Sequence, residues 1–248
     1  MRVFMKYDLS SFQDNLKELH IVLSDHQMEQ FITYYEMLVE TNKVMNLTSI
    51  TEFDEVIKKH FVDSLCLVKA FDNGAAYFDE NRKVIDIGTG AGFPGIPLKI
   101  AFPKLEITLL DSLNKRVGFL QNVISTLQLD GIKAVHGRAE DFAKPEMLRE
   151  KFDLCVSRAV ANLSTLSEYC IPYVKVGGKF ISYKSEKLDE ELKSAEHAIQ
   201  TLGGQVIQQV DFILPGSNIY RNLCVIEKKE VTPAKYPRKA GSPLKKPL

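Results

Sequence analysis

The chain has 248 residues, enough for one large α/β domain and an additional element. With 45% hydrophobic and 26% charged residues it is neither fibrous nor low-complexity, and no apolar run approaches the 18 residues of a membrane span. A net charge of zero hides an uneven distribution: residues 1–72 carry 7 basic against 12 acidic side chains, whereas residues 231–248 carry 5 basic side chains and no acid.

The first residues lack the apolar stretch of a signal peptide. Cys66, Cys155, Cys170 and Cys224 form no C-x-x-C pair, and the histidines show no metal-ligand spacing. A cytoplasmic, monomeric protein with reduced cysteines and no metal is the expectation.

Residues 1–72 read as a helical extension. Ser10-x-x-Gln13 and Ser24-x-x-Gln27 both fit the capping box, and Phe31, Tyr34, Tyr35 and Leu38 fall at helical spacing. A third helix is predicted from Glu52 to Phe71, with Phe53, Val56, Ile57, His60, Phe61 and Leu65 on its apolar side. Residues 73–230 then alternate strands with helices. Strands are predicted at 84–88, 106–111, 132–136, 152–157, 179–184, 205–214 and 221–228, with helices from 95 and at 115–129, 164–174 and 188–202. Such alternation gives a mostly parallel sheet covered on both faces. The last two strands lack a helical crossover and should pair antiparallel. A seven-stranded, mostly parallel sheet closed by a terminal antiparallel hairpin is the Rossmann-like class I methyltransferase plan.

The first strand ends in Asp86-Ile-Gly88-Thr-Gly90-Ala-Gly92-Phe93-Pro94-Gly95. Two motifs overlap here. Gly90-x-Gly92-x-x-Gly95 fits a dinucleotide fingerprint, and Asp86-x-Gly88-x-Gly90-x-Gly92 fits an S-adenosylmethionine loop. Asp111 follows Gly90 by 21 residues, the separation of a carboxylate that binds ribose hydroxyls. Pro94 and Pro97 deprive the following turn of N–H donors, which disfavours a pyrophosphate. Adenosylmethionine is favoured and NAD is the alternative. An NAD-dependent oxidoreductase should also offer a proton-relay Tyr-x-x-x-Lys or a His–Asp pair, and neither stands out. A non-catalytic RNA-binding protein is a third reading.

In residues 231–248, Lys235, Arg238, Lys239, Lys245 and Lys246 sit among four prolines. Prolines forbid a long helix, so an extended, solvated arm following a phosphate backbone is expected. The competing expectation is that Tyr236 and Pro237 dock on the domain.

Several stretches together resemble the ribosomal RNA small subunit methyltransferase G family, also called glucose-inhibited division protein B. They are Asn46-Leu-Thr48, His60-x-x-Asp63-Ser-Leu65, the glycine loop with its Phe93, Asp111-Ser-x-x-Lys115-Arg116, Arg138-Ala-Glu140, Ser157-Arg-Ala159 and Tyr236-Pro-Arg-Lys-Ala-Gly. The resemblance implies methyl transfer from S-adenosylmethionine to N7 of a guanine in 16S rRNA near the decoding site. It implies that Gly88, Phe93, Ala139, Glu140 and Arg158 bind the cofactor; Gly90 and Asp111 join them from the loop reading. Guanine N7 carries a lone pair and no proton, so no general base is needed, and Arg158 is expected to position the base. The substrate, 16S rRNA or the small ribosomal subunit, is expected to meet Lys115, Arg116, Lys235, Arg238 and Lys239. The acidic N-terminal helices read as a lid or packing cap, with Asn46, Thr48, His60 and Asp63 either lining the cleft or serving structure.

Overall fold

The computed structural model describes residues 7–158, 161–185 and 188–248. Ala159 of the Ser157-Arg-Ala159 stretch lies outside them.

The two predicted capping boxes part company. Helix α1 (Ser10–Glu18) takes Leu9 as its N-cap, and Ser10 instead gives its amide and hydroxyl to Asp8 at 2.9 and 2.5 Å. A carboxylate two residues upstream is the stronger acceptor and captures the serine. Helix α2 (Asp25–Met45) does close its box: Gln27 N donates to Ser24 Oγ (3.3 Å) and Ser24 N to Gln27 Oε1 (2.8 Å). The third helix spans 53–70, close to the predicted bounds, but changes type along its length. It begins as α3 (Phe53–Val56), widens into a π-helical turn (Ile57–Val62), returns as α4 (Asp63–Leu65) and ends as a 3-10 turn (Cys66–Ala70). Single π turns recur at functional positions.

The sheet comprises β1 (Lys83–Ile87), β2 (Glu106–Asp111), β3 (Ile132–His136), β4 (Phe152–Arg158), β5 (Val174–Lys184), β6 (Gly204–Ile213) and β7 (Tyr220–Lys228). Its order is β3-β2-β1-β4-β5-β7-β6, with the first five strands parallel and β7 antiparallel to both neighbours. The seven-stranded expectation holds. Helix α5 (Gly95–Ala101) links β1 to β2, and α6 (Asn114–Thr126) links β2 to β3. The chain then crosses back to β4 on the far side of β1, which makes the β1/β4 boundary a topological switch point. Strand β5 begins earlier than predicted. Val174 pairs with Phe152, and a bulge then carries the register to Lys179 opposite Leu154. Helices α7 (Ala139–Phe142), α8 (Leu163–Cys170) and α9 (Leu188–Thr201) cover the second face.

Alternation along β4 feeds two cores. Leu154 and Val156 face one that includes Phe12, Phe31, Phe61 and Leu109. Cys155 faces the other, with Leu166, Phe180 and Ile199. The helices before residue 72 thus share a core with the sheet. Each fully buried aliphatic or aromatic side chain contributes about 1.5–3 kcal/mol. All four cysteines are buried and unbridged.

The basic C-terminal segment is docked, so the solvated-arm expectation is corrected. Tyr236 belongs to the second core, and Arg149 donates to its carbonyl at 2.6 Å and to that of Thr232. Arg238 clasps the buried Glu168 through its amide (2.7 Å), Nε (2.9 Å) and Nη2 (2.6 Å). Thr165 Oγ1 donates to Pro243 O at 3.2 Å beside helix α10 (Ser242–Lys245). The prolines do exclude a long helix. The side chains of Arg149 and Glu168 supply the partners that hold the irregular backbone down. Arg238, expected at RNA, is engaged in this clasp.

Candidate active site

The carboxyl ends of the parallel strands carry two hollows side by side. The first, about 130 Å³, lies beyond β1, β2 and β3 and is lined by Gly88, Ser112, Arg138, Ala139, Glu140 and Tyr169 among others. Two buried carboxylates shape it. Asp86 Oδ2 accepts from Thr89 Oγ1 (2.7 Å) and Gly95 N (2.9 Å), tying the glycine loop to β1 and α5. Burial pushes the Asp86 carboxyl up to about 6, and its Oδ1 has no partner among the described residues. Asp111 accepts from Gly90 N and Leu113 N, each at 2.9 Å, so it fixes the loop's crest against the end of β2. Arg116 Nη1 stands 3.7 Å from the same carboxylate, and Lys115 on that turn is exposed.

Gly88, Ala139 and Glu140 therefore line this crevice, with Gly90 and Asp111 at its loop. Tyr173 donates to Ala139 O at 2.6 Å, and Glu140 Oε1 accepts from Gly241 N at 2.8 Å. A Cβ added at Gly90 would approach nothing closer than Gly88 O at 4.0 Å, so open space lies over the loop's crest. A small crevice of mixed polar and apolar lining, with a buried carboxylate at its wall, suits a nucleoside better than a pyrophosphate.

The structure places Phe93 and Arg158 elsewhere. Phe93 is buried in an aromatic cluster, with the His60 ring stacked at 4.5 Å and Tyr34 at 5.5 Å. Arg158 opens onto the second hollow, about 620 Å³, which lies beyond β4, β5 and β7 and is lined by Lys59, His60, Asp63, Arg158, Lys184 and Arg221 among others. The guanidinium is fixed from three sides: Nη1 donates to Lys59 O (3.0 Å) and Asp63 Oδ2 (2.9 Å), and Nη2 lies 3.2 Å from His60 Nδ1. The π-helical turn offers Lys59 O and His60, and Asp63 joins them from the first position of α4. His60 Nε2 sits 2.9 Å from Thr48 Oγ1. Burial, aided by the Arg158 charge, pushes His60 down to about 3, so it stays neutral at physiological pH. Asn46 takes a left-handed conformation (φ 50°) that ends α2 and turns the chain toward Thr48.

Two members of this cavity escape sequence reasoning. Arg221 Nε donates to Asp63 Oδ1 at 2.8 Å from 158 residues away, and Lys184 pairs with Glu191 at 2.6 Å. A charged residue at a strand end carries no local signal of such a partner. Among the RNA candidates of the tail, Lys235 lies 5.2 Å over the Tyr236 ring and Lys239 is exposed.

The family model described as "rRNA small subunit methyltransferase G" matches residues 27–220. The chain belongs to this family. It is 52% identical to the Ribosomal RNA small subunit methyltransferase G of Lachnoclostridium phytofermentans over 97% of this chain and 98% of the relative. The Alkaliphilus metalliredigens protein of the same name is 51% identical over 95% of this chain and 97% of its own length. Among solved structures, a mutant of MtNAS superposes with TM-score 0.53 at 15% identity, over 93% of this chain and 90% of that one. A TYW2 from M. jannaschii, solved with AdoMet, gives 0.50 at 15% over 60% and 70%. These two share the fold. The methyltransferase is accordingly an S-adenosylmethionine-dependent enzyme acting on rRNA.

Proposed function

We propose that this methyltransferase transfers the methyl group of S-adenosylmethionine to N7 of a guanine in 16S rRNA near the decoding site. The observation that carries the reading is the pairing of the two hollows at neighbouring strand ends. Ser157 Oγ donates to Ile87 O at 2.8 Å, coupling the end of β4, where Arg158 opens onto the cationic cavity, to the strand end that lines the nucleoside crevice. The bound cofactor supplies a methyl already activated by its sulfonium charge. The protein's share is to orient and to exclude water, the form of catalysis that alignment alone can deliver. Asp111 and the loop amides hold the adenosine end, and Glu140 sits at the crevice wall. Arg158, braced by Asp63 and Lys59, has donors left to meet O6 of guanine, which leaves the N7 lone pair free to face the methyl group.

N7 chemistry needs no proton acceptor, and the cavity offers a poor one. His60 has both ring nitrogens in contact with partners and is held neutral by burial first and the Arg158 charge second. The base must leave its stack to enter. The enzyme is read as a monomer acting on 16S rRNA or the small subunit in the cytoplasm. No described helix is long and apolar enough to cross a membrane. Incubating undermethylated small subunits and free 16S rRNA with labelled cofactor, then locating the label by mass spectrometry, tests the reading. Label on an exocyclic amine or a pyrimidine would refute it.

A further inference from the structure

Asp63 holds two arginines at once. Oδ2 accepts from Arg158 Nη1 at 2.9 Å, and Oδ1 accepts from Arg221 Nε at 2.8 Å. The carboxylate is 5% exposed, whereas the Arg158 and Arg221 side chains are 14% and 23% exposed at the cavity wall. The three residues arrive from three elements: the turn into α4, the end of β4 and the start of β7. β5 lies between the two strands, so the carboxylate bridges over it.

The charges around the cavity leave a surplus. Lys184 pairs with Glu191, and Lys59 with Glu55. One carboxylate then serves two guanidiniums, leaving one positive charge that no described acid lining the cavity neutralises. Arg221, like Arg158, keeps donors free, and it is the more exposed of the two. Its Nη1 reaches Tyr220 O at 3.1 Å and its Nε reaches Asp63, while no described residue accepts from Nη2. Two like charges held side by side repel, and burying them costs solvation. An anionic ligand would relieve both. The planar fork of arginine matches a phosphate in shape and charge.

We propose that Arg221, braced beside Arg158 by Asp63, binds a phosphodiester of the substrate RNA at the mouth of the methyl-transfer cavity. The inference rests on the rRNA reading and deepens it. A nucleotide whose base enters the cavity brings its own backbone to the rim, and phosphate contacts set the register in which the base is presented. Asp63 is a positioning residue here: it sets the spacing of the guanidiniums and touches no substrate.

The test uses the full chain with Arg221→Gln and Arg221→Lys, each checked by thermal melting. Arg221→Gln should raise KM for the RNA about tenfold, with the smaller effect on kcat, the scale of one charge-assisted hydrogen bond. The slope of log affinity against log salt should shrink by about 0.7–0.9, one phosphate's worth. Arg221→Lys should restore the slope but only part of the affinity. Replacing single phosphates near the target guanine by neutral methylphosphonates should weaken binding to the wild type at one position, and at that position leave Arg221→Gln unaffected. An unchanged KM and salt slope in Arg221→Gln overturns the proposal. So does a loss of cofactor affinity in its place, which would assign Arg221 to the cofactor's carboxylate. Should Arg221→Gln fail to fold, the methylphosphonate series on the wild type decides, since no sensitive position means no phosphate site. A wild type that labels no rRNA removes the underlying reading, a failure visible before any variant is made.

Discussion

Gly241 donates its backbone N–H to the Glu140 carboxylate at 2.8 Å, so the last segment of the chain is fastened to the short helix that walls the cofactor crevice. Glu168, 1% exposed and clasped by Arg238, lies one residue before Tyr169 of the same crevice. The tail therefore supports the wall of the crevice proposed for the cofactor. Arg238→Ala should strand a buried carboxylate and destabilise the fold by about 3 kcal/mol. Deleting 233–248 should lower the melting temperature and the adenosylmethionine affinity together. Scanning fluorimetry with and without cofactor reads both, and a truncated protein with full cofactor affinity would contradict this arrangement.

Two glycines of one loop should fail differently. A Cβ at Gly95 would meet Leu109 Cδ2 at 2.2 Å and Asp86 Oδ2 at 3.0 Å, so Gly95→Ala overpacks the junction of β1, β2 and α5. It should cost about 1–3 kcal/mol of stability. Gly90 has φ +61° and no protein atom in the way, so Gly90→Ala carries only backbone strain of about 1 kcal/mol. Its added methyl points into space left for a ligand. Denaturation midpoints should single out Gly95→Ala, and cofactor titration should single out Gly90→Ala.

The parts legible in the sequence are those whose cause is local. The ends of β2 and β3 follow from apolar runs bounded by turn residues, and Asp111 meets Gly90 because the strand–helix–strand unit of β1, α5 and β2 brings them together. The Ser24 cap is local too, whereas the Ser10 cap was intercepted by Asp8. What sequence could not supply depends on tertiary closure. The bulge that lengthens β5 is set by its pairing with β4. Phe93 reads equally as a ligand contact or a core residue until the helices before residue 72 place Tyr34 and His60 against it. The Asp63–Arg221 link joins two segments with no shared pattern.

Asp111 has two tasks that substitution can separate. Its carboxylate already accepts from Gly90 N and Leu113 N, and a ribose hydroxyl would add a charge-assisted bond. Asp111→Ala should lose both and weaken adenosylmethionine binding by about 1.5–3 kcal/mol, roughly ten- to a hundredfold in Kd. Asp111→Asn keeps one acceptor for the loop, so it should remain closer to wild-type stability while still losing affinity. Calorimetric titration of the two variants checks this, and equal wild-type affinity in both would move the ribose contact elsewhere.

His60 should give the protein an acid sensitivity that its reaction does not share. Its pKa falls from an ordinary 6.5 to about 3, mainly through burial and then through Arg158, while Lys59 adds a further positive charge. The unfolded chain takes up a proton near pH 6.5 that the folded chain refuses until near pH 3. Stability from this group is therefore whole above 6.5 and is lost as pH falls toward 3, by a few kcal/mol in all. Asp86 works in the opposite sense: its carboxyl, raised to about 6, contributes most at low pH and loses that contribution as pH rises through 6. The difference between wild type and His60→Gln isolates the histidine. Glutamine can still bond Thr48 or Arg158 but binds no proton, so its melting temperature should fall less steeply between pH 6.5 and 4. Methyl transfer by the wild type should meanwhile show no limb near pH 6.5 in kcat, because neutral His60 positions Arg158 and takes no proton from guanine. A kcat limb at pH 6.5 that vanishes in His60→Gln would instead make the imidazole a base.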